Sequence, residues 1–209
     1  MSLEKRSFFC EVRAEEDEEH GTQITGRPIV FESKTDLGYF DEIIHRGALD
    51  KTDLKDVRFL VNHDLNKIPL ARSRKNTKNS TMQLTTDKDG MEIRVDLDTE
   101  NNAEARALFS AVKRGDISGM SFMFGVDAET WDDLESDHPT RHINAISTVV
   151  EVSAVTFPAY EATEIHARSN PVLENAGSAL ENARNAARAS VDTDELELEK
   201  LKAKYLYGI

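Results

Sequence analysis

The chain has 209 residues, with 39 Asp and Glu against 26 Lys and Arg, a formal net charge of −13. Hydrophobic residues make up 39% and charged residues 31%, which reads as a soluble protein long enough to bury a core. Such acidity argues against nucleic acid as the main partner, because phosphates are met by clustered Lys and Arg. The most apolar run, near Phe122 to Val126, is too short to span a membrane. No secretory signal is expected, since Leu3 is followed at once by Glu4, Lys5 and Arg6 with no apolar stretch behind them. The single cysteine, Cys10, forms no internal disulfide and fits a reducing compartment.

In chain order, Phe8 to Arg13 reads as a first or edge strand, and Glu15 to Glu19 as a solvated acidic loop. Gln23 to Phe31 reads as a strand that Gly26 and Pro28 bulge or break. Phe40 to Leu49, carrying Ile43, Ile44 and Leu49, reads as a short helix. Val57 to Val61 is an apolar, β-branched strand. Arg72, Arg74, Lys75 and Lys78 form a basic cluster, read as solvated surface with an acidic partner as the alternative. Thr81 to Thr85 and Met91 to Leu97 flank Asp87 to Gly90 and predict a hairpin. Asn102 to Arg114 predicts a helix: Asn101 caps it with Glu104 three residues on, Ala105, Leu108, Phe109 and Val112 share one face, and Gly115 ends it. Met120 to Val126 predicts a strand with Met120, Phe122 and Phe124 on one face and Ser121 and Met123 on the other. Asp127 to Asp137 holds six acids and no base and reads as a solvated loop. Ser147 to Phe157 is rich in Val and Thr and reads as another strand. The composition changes near Ser169. Residues 1–168 read as the folded domain, and 169–209 as a linker plus a short C-terminal helix that starts at Asp192, with Leu198, Leu201 and Tyr205 on one face.

Three residues stand out for chemistry. His63 directly follows the strand Val57 to Val61, where a rigid strand end can hold a base at the rim of a cleft; its bland reading is a loop histidine in a turn with Asp64. Ser121 places a hydroxyl in an apolar strand after Gly115 and Gly119, with Ser118 as a rival; its bland reading is a buried serine bonded to a backbone carbonyl. Glu151 sits within Val149-Val150-Glu151-Val152, where a charge needs a partner or a solvated face. A serine, a histidine and an acid from separate strand ends would make a nucleophile, a base and an orienting group. A metal site on His138 and His142, with Asp132, Asp133, Glu135 and Asp137 upstream, is the competing reading. Pro139 breaks its helical spacing, and the zinc-protease glutamate is missing. No histidine pattern accompanies Cys10, and no Gly-Lys-Ser/Thr phosphate loop is present. No cofactor is expected.

Several blocks in order carry a family likeness. They are Gly26 to Phe31, Phe40-Asp41-Glu42, Gly47-Ala48-Leu49, Phe59 to Asp64, Val112 to Phe122, and Glu151 to Tyr160. Across roughly residues 8 to 168 the chain resembles the prohead (procapsid maturation) proteases of tailed bacteriophages, of the HK97 type. The resemblance implies a serine endopeptidase with a mainly β (α+β) fold, an antiparallel β-barrel with surrounding helices like that of the herpesvirus assembly proteases. It also implies that His63 is the base, Ser121 the nucleophile and Glu151 the third member, with Asp64 and His142 as fallbacks for the last. A backbone N–H, or an arginine, Arg141 or Arg114, is the candidate oxyanion donor. Family members often carry a glycine where this chain has Met123, a departure that bears on substrate contacts.

The implied substrates are the capsid scaffold, the delta segment of the major capsid protein, and the enzyme itself. The implied location is the inside of the procapsid in the host cytoplasm. A homodimer is expected by analogy, with no nucleic acid or membrane partner. The alternative reading is a catalytically inactive capsid assembly factor.

Overall fold

A computed structural model describes residues 3–9, 12–17, 21–156 and 171–207. Two long strands form its centre, β10 (Gly119–Asp132) and β11 (Thr140–Val155), paired antiparallel with Ser121 opposite Ser153 and Met123 opposite Glu151. On the free side of β10, β1 (Leu3–Phe9) pairs antiparallel, placing Ser7 opposite Ser121. On the free side of β11 two strands pair in parallel: β5 (Asp41–Ile44) at its start and β6 (Asp56–Val61) at its end. Short strands β4 (Thr35–Asp36) and β7 (Ala71–Arg74) extend β5 and β6 to complete seven strands. A second sheet runs in the order β2 (Arg13–Asp17), β3 (Gly21–Val30), β9 (Gly90–Asp96), β8 (Met82–Thr86).

Alternation dictates what each face does. Met120, Phe122 and Phe124 turn into the main core with Ile24, Ile93 and Phe59, whereas Ser121 lies on the other face. Helix α1 (Ala103–Arg114) covers this core with Ala105, Leu108 and Val112.

The described strands correct the expectation of an antiparallel barrel. Both sheets are open, and β5 and β6 run parallel to β11. Where β7 meets the second sheet, side chains replace a backbone ladder: the Arg72 and Arg74 amides donate to Thr81 Oγ1 and Ser80 Oγ, each at 2.9 Å.

The predicted hairpin forms as β8 and β9, and β3 has its irregularity between Gly26 and Ile29. The helix expected over Phe40 to Leu49 is instead strand β5 and a turn, because adjacent β-branched Ile43 and Ile44 suit a pleated edge and Gly47 takes a left-handed φ of 86°. The acidic stretch expected as a loop continues β10 to Asp132; alternation leaves Asp127, Thr130 and Asp132 in water while Trp131 packs edge-on to Phe40 at 4.8 Å. The cap of α1 is Asn102, whose side chain accepts from the Glu104 and Ala105 amides, while Asn101 bonds to Asp98.

A single helix, α2 (Pro171–Tyr207), stands where a linker and a short helix were expected. Its Ala-, Glu- and Arg-rich composition has high helix propensity, and Ala176 and Leu180 bury against Leu37 and Phe40. Among the described residues no helix is long and apolar enough to cross a membrane.

A buried ionic cluster ties β1, β5, β10 and β11 together. Arg6, which is fully buried, donates to Glu42 at 2.6 and 2.8 Å and to Glu4 at 2.6 Å. Arg141 donates to Glu4 at 2.6 and 2.8 Å, to Glu42 at 3.1 Å, and to Glu129. Burial alone would raise the Glu4 carboxyl, but hydrogen bonds and charge from Arg141 and Arg6 hold it below its ordinary 4.5.

Gly90 has φ 148°, and a Cβ there would lie 1.9 Å from the Ile29 carbonyl oxygen; Gly115 has φ 80° with open space around it. Gly90→Ala should therefore lower stability by roughly 2–4 kcal/mol and Gly115→Ala by about 1 kcal/mol, read as urea midpoints. Glu42→Gln removes one of the three carboxylates that meet the two buried guanidinium groups, leaves Arg6 only Glu4, shared with Arg141, and should cost about 1–3 kcal/mol. Because the Glu4 value is depressed on folding, its contribution is complete above pH 4.5 and is lost as pH falls through the lowered value. Urea midpoints of Glu4→Gln should accordingly fall less steeply with acid than those of the native chain.

Candidate active site

The site is built where β6 ends beside β11. Parallel pairing sets Leu60 against Ser153 and Val61 against Ala154, so the next residues pass over the end of β11. The chain turns there through two left-handed residues, Asn62 at φ 51° and His63 at φ 58°. Asn62 fastens the turn. Its amide donates to the Ala154 carbonyl at 2.9 Å, its Nδ2 donates to Thr156 Oγ1 at 3.1 Å, and its Oδ1 accepts from the Thr156 amide at 3.0 Å. The His63 amide donates to Ser153 Oγ at 3.1 Å.

The imidazole is thereby set between two groups. Its Nδ1 bonds to Glu151 Oε1, and its Nε2 lies 2.6 Å from Ser121 Oγ. A carboxylate only accepts, so Nδ1 carries the hydrogen and a neutral ring turns its Nε2 lone pair toward the hydroxyl. Ser153 Oγ donates to the second Glu151 oxygen at 2.6 Å. Ser121, Glu151 and Ser153 are fully buried, while 11% of the His63 side chain reaches solvent. Ser121 Oγ also donates to the Arg6 carbonyl at 2.8 Å, the carbonyl bond of the bland reading of this serine. The hydroxyl has one hydrogen and faces two acceptors, Nε2 and this carbonyl.

The structure thus brings together His63, Ser121 and Glu151, which the sequence separates widely. The other candidates lie elsewhere. Asp64 Oδ1 accepts from the Asn66 amide within its own turn, and Ser118 is exposed before β10. His142, toward the far end of β11, lies with Nδ1 2.8 Å from His45 Nε2 and Nε2 3.1 Å from Asp132. His138 faces Asp41 at 3.2 Å in an exposed group with Asp36, where Lys34 already pairs with Asp41, so the two histidines of the metal reading belong to separate clusters. Arg141 is spent in the buried ionic cluster, and Arg114 binds Asp116 and Ser110. Cys10 and the block Phe157 to Tyr160 lie outside the described residues. Sequence reasoning did not single out Ser153, although alternation places it on the Glu151 face two positions on.

A carboxylate, an imidazole and a hydroxyl in line make the arrangement of a serine hydrolase, in which the ring takes the hydroxyl proton as the oxygen attacks a carbonyl carbon. Residues 9–176 match the model of the family described as Caudovirus prohead serine protease. The chain belongs to this family and is a serine protease of phage procapsid maturation. Among solved structures, the bacteriophage T4 capsid assembly protease aligns with a TM-score of 0.34 and 11% identity over 73% of this chain and 98% of that one. No curated protein matches the chain.

Ser153→Ala removes the partners of a buried Glu151 oxygen and of the His63 amide. It should lower stability by about 1–3 kcal/mol in urea denaturation, more than a serine-to-alanine change at exposed Ser118.

Proposed function

We propose that Ser121 is the nucleophile, His63 the general base and then acid, and Glu151 the group that orients His63. Ser121 Oγ attacks the scissile carbonyl carbon while its proton passes to His63 Nε2. The resulting imidazolium is stabilised by Glu151 across Nδ1–H. Collapse of the tetrahedral intermediate breaks the C–N bond as Nε2 returns the proton to the leaving amine. Water, deprotonated by the same nitrogen, then releases the acyl group. The 2.6 Å approach of Nε2 to Ser121 Oγ, with Nδ1 held by a carboxylate, is the observation that carries this reading. Ser153 acts through Glu151 as a positioning residue. Because Ser121 is fully buried, a neighbouring segment moves aside before a peptide carbonyl can reach it.

We further propose that the substrates are the capsid scaffold or the delta segment of the major capsid protein, and the enzyme itself, cut inside the procapsid in the host cytoplasm. Residues 1–168 form the catalytic unit. Helix α2 touches that unit in its first half, where Ala176 and Leu180 bury and Arg184 donates to the Leu134 and Ser136 carbonyls at 3.0 and 2.7 Å. Farther along, Leu201 is 64% exposed, which leaves the distal part of the helix open to self-trimming.

The test is intact-mass spectrometry of the chain expressed alone and together with its capsid protein. The native enzyme should shorten itself or its partner, and Ser121→Ala should leave both full length. Rates should fall roughly 10⁴-fold or more with His63→Ala and about 10³–10⁴-fold with Glu151→Gln. Cleavage by Ser121→Ala at the native rate contradicts the assignment.

A further inference from the structure

Beside the His63 turn lies a cavity of about 450 Å³, within the ~300–1,000 Å³ range of pockets that bind small groups. Its floor is apolar, built by buried Leu60 and Leu108 with Leu70, Ala111 and Ile117 around them. Its charged lining residues are Asp64, Lys67 and Glu104, of which Lys67 and Glu104 answer each other, with Lys67 Nζ 2.6 Å from Glu104 Oε1. Ile68, also in the wall, is 83% exposed, and Leu65 in the same loop is 60% exposed. Exposed apolar side chains around a concave apolar floor are the features of a surface that waits for an apolar occupant.

The cavity borders the turn that carries His63. Val61 and Asn62 in its wall immediately precede His63, and Asp64 follows it. Ile117 leads into the strand that carries Ser121.

We propose that the cavity is a specificity pocket for one large aliphatic or aromatic side chain of the polypeptide substrate. This proposal rests on the reading of Ser121 and His63 as the catalytic pair. An apolar side chain leaves water for the floor at no electrostatic cost. A charged one would lose hydration over that floor, and the lining carboxylate of Asp64 would repel an acidic one further. Pockets of this kind discriminate by roughly 10- to 200-fold per methylene, so Leu, Ile, Met or Phe should be preferred to Ala or Asp by at least tenfold at one fixed position from the cut.

The full-length enzyme is tested on a proteome-derived peptide mixture, with the Ser121→Ala protein as the blank and cut sites read by mass spectrometry. Two variants change the pocket. Ala111→Phe fills it from the half-buried wall of α1, and Ala107→Glu places a charge at an exposed position of the same wall. Thermal melting of each variant reports whether it is folded, and the exposed Ala107 site keeps the test available if Ala111→Phe is not. The native enzyme should show the apolar preference; Ala111→Phe should move it toward small side chains, and Ala107→Glu should reduce it at least tenfold. Ser121-dependent cleavage with no apolar preference, or with a preference that the folded variants leave unchanged, overturns the pocket and leaves the catalytic pair standing. Cleavage indistinguishable from the blank overturns both.

Discussion

The register of β10 against β11 is the constraint on which the rest depends. With Ser121 opposite Ser153 and Met123 opposite Glu151, hydroxyl and carboxylate share one face while Phe122 and Val152 take the core face. A slip of one residue would bury the serine among the core side chains and turn the phenylalanines toward the imidazole. β11 then acts as a ruler for β6, whose parallel pairing ends one step short of the Asn62–His63 turn. Neither strand alone could place the ring; the two pairings together leave His63 between Ser121 and Glu151. The left-handed backbone at Asn62 and His63 is held by the Asn62–Thr156 and His63–Ser153 bonds, an instance of local strain kept where the imidazole points across the sheet to Ser121 and Glu151.

The ionic cluster serves the same register from the other side. Glu4 and Arg6 anchor β1 through Glu42 and Arg141, and the Arg6 carbonyl then receives the Ser121 hydroxyl. A group far away in sequence thus supplies a partner of the Ser121 hydroxyl. Such a cluster is weak evidence for stability on its own, because desolvation offsets most of the Coulomb gain. Its value lies in fixing which strands meet, since Glu42 on β5 is met from β1 and β11, Glu4 on β1 from β11, and Glu129 on β10 from β11.

Much of this was legible in the sequence, and the parts that were not have physical reasons. The strand at Val57 to Val61, the hairpin about Asp87 to Gly90 and the helix ending at Gly115 are local, set by alternation, turn chemistry and capping. The likeness to prohead proteases singled out His63, Ser121 and Glu151, and only the non-local pairings bring them together. Phe40 to Leu49 misled because Ile43, Ile44 and Leu49 fit a helical face as well as a strand, and the pairing with β11 decides between them. The acidic stretch after Val126 looked like a loop because its charges hide an alternation that only the hairpin partner uses. The helix α2 was obscured by its scarcity of large apolar residues; Ala176 and Leu180, the Arg184 bonds to the Leu134 and Ser136 carbonyls and high intrinsic propensity hold it instead.

The central claim is that one hydroxyl, Ser121, is made nucleophilic by His63. The most direct measurement is labelling of the folded enzyme with a fluorophosphonate, followed by peptide mapping of the adduct and repetition with His63→Ala. A single adduct on Ser121 that disappears with His63→Ala is the predicted result. An adduct on Ser118 or any other serine, or labelling of Ser121 that His63→Ala leaves unchanged, would contradict the account.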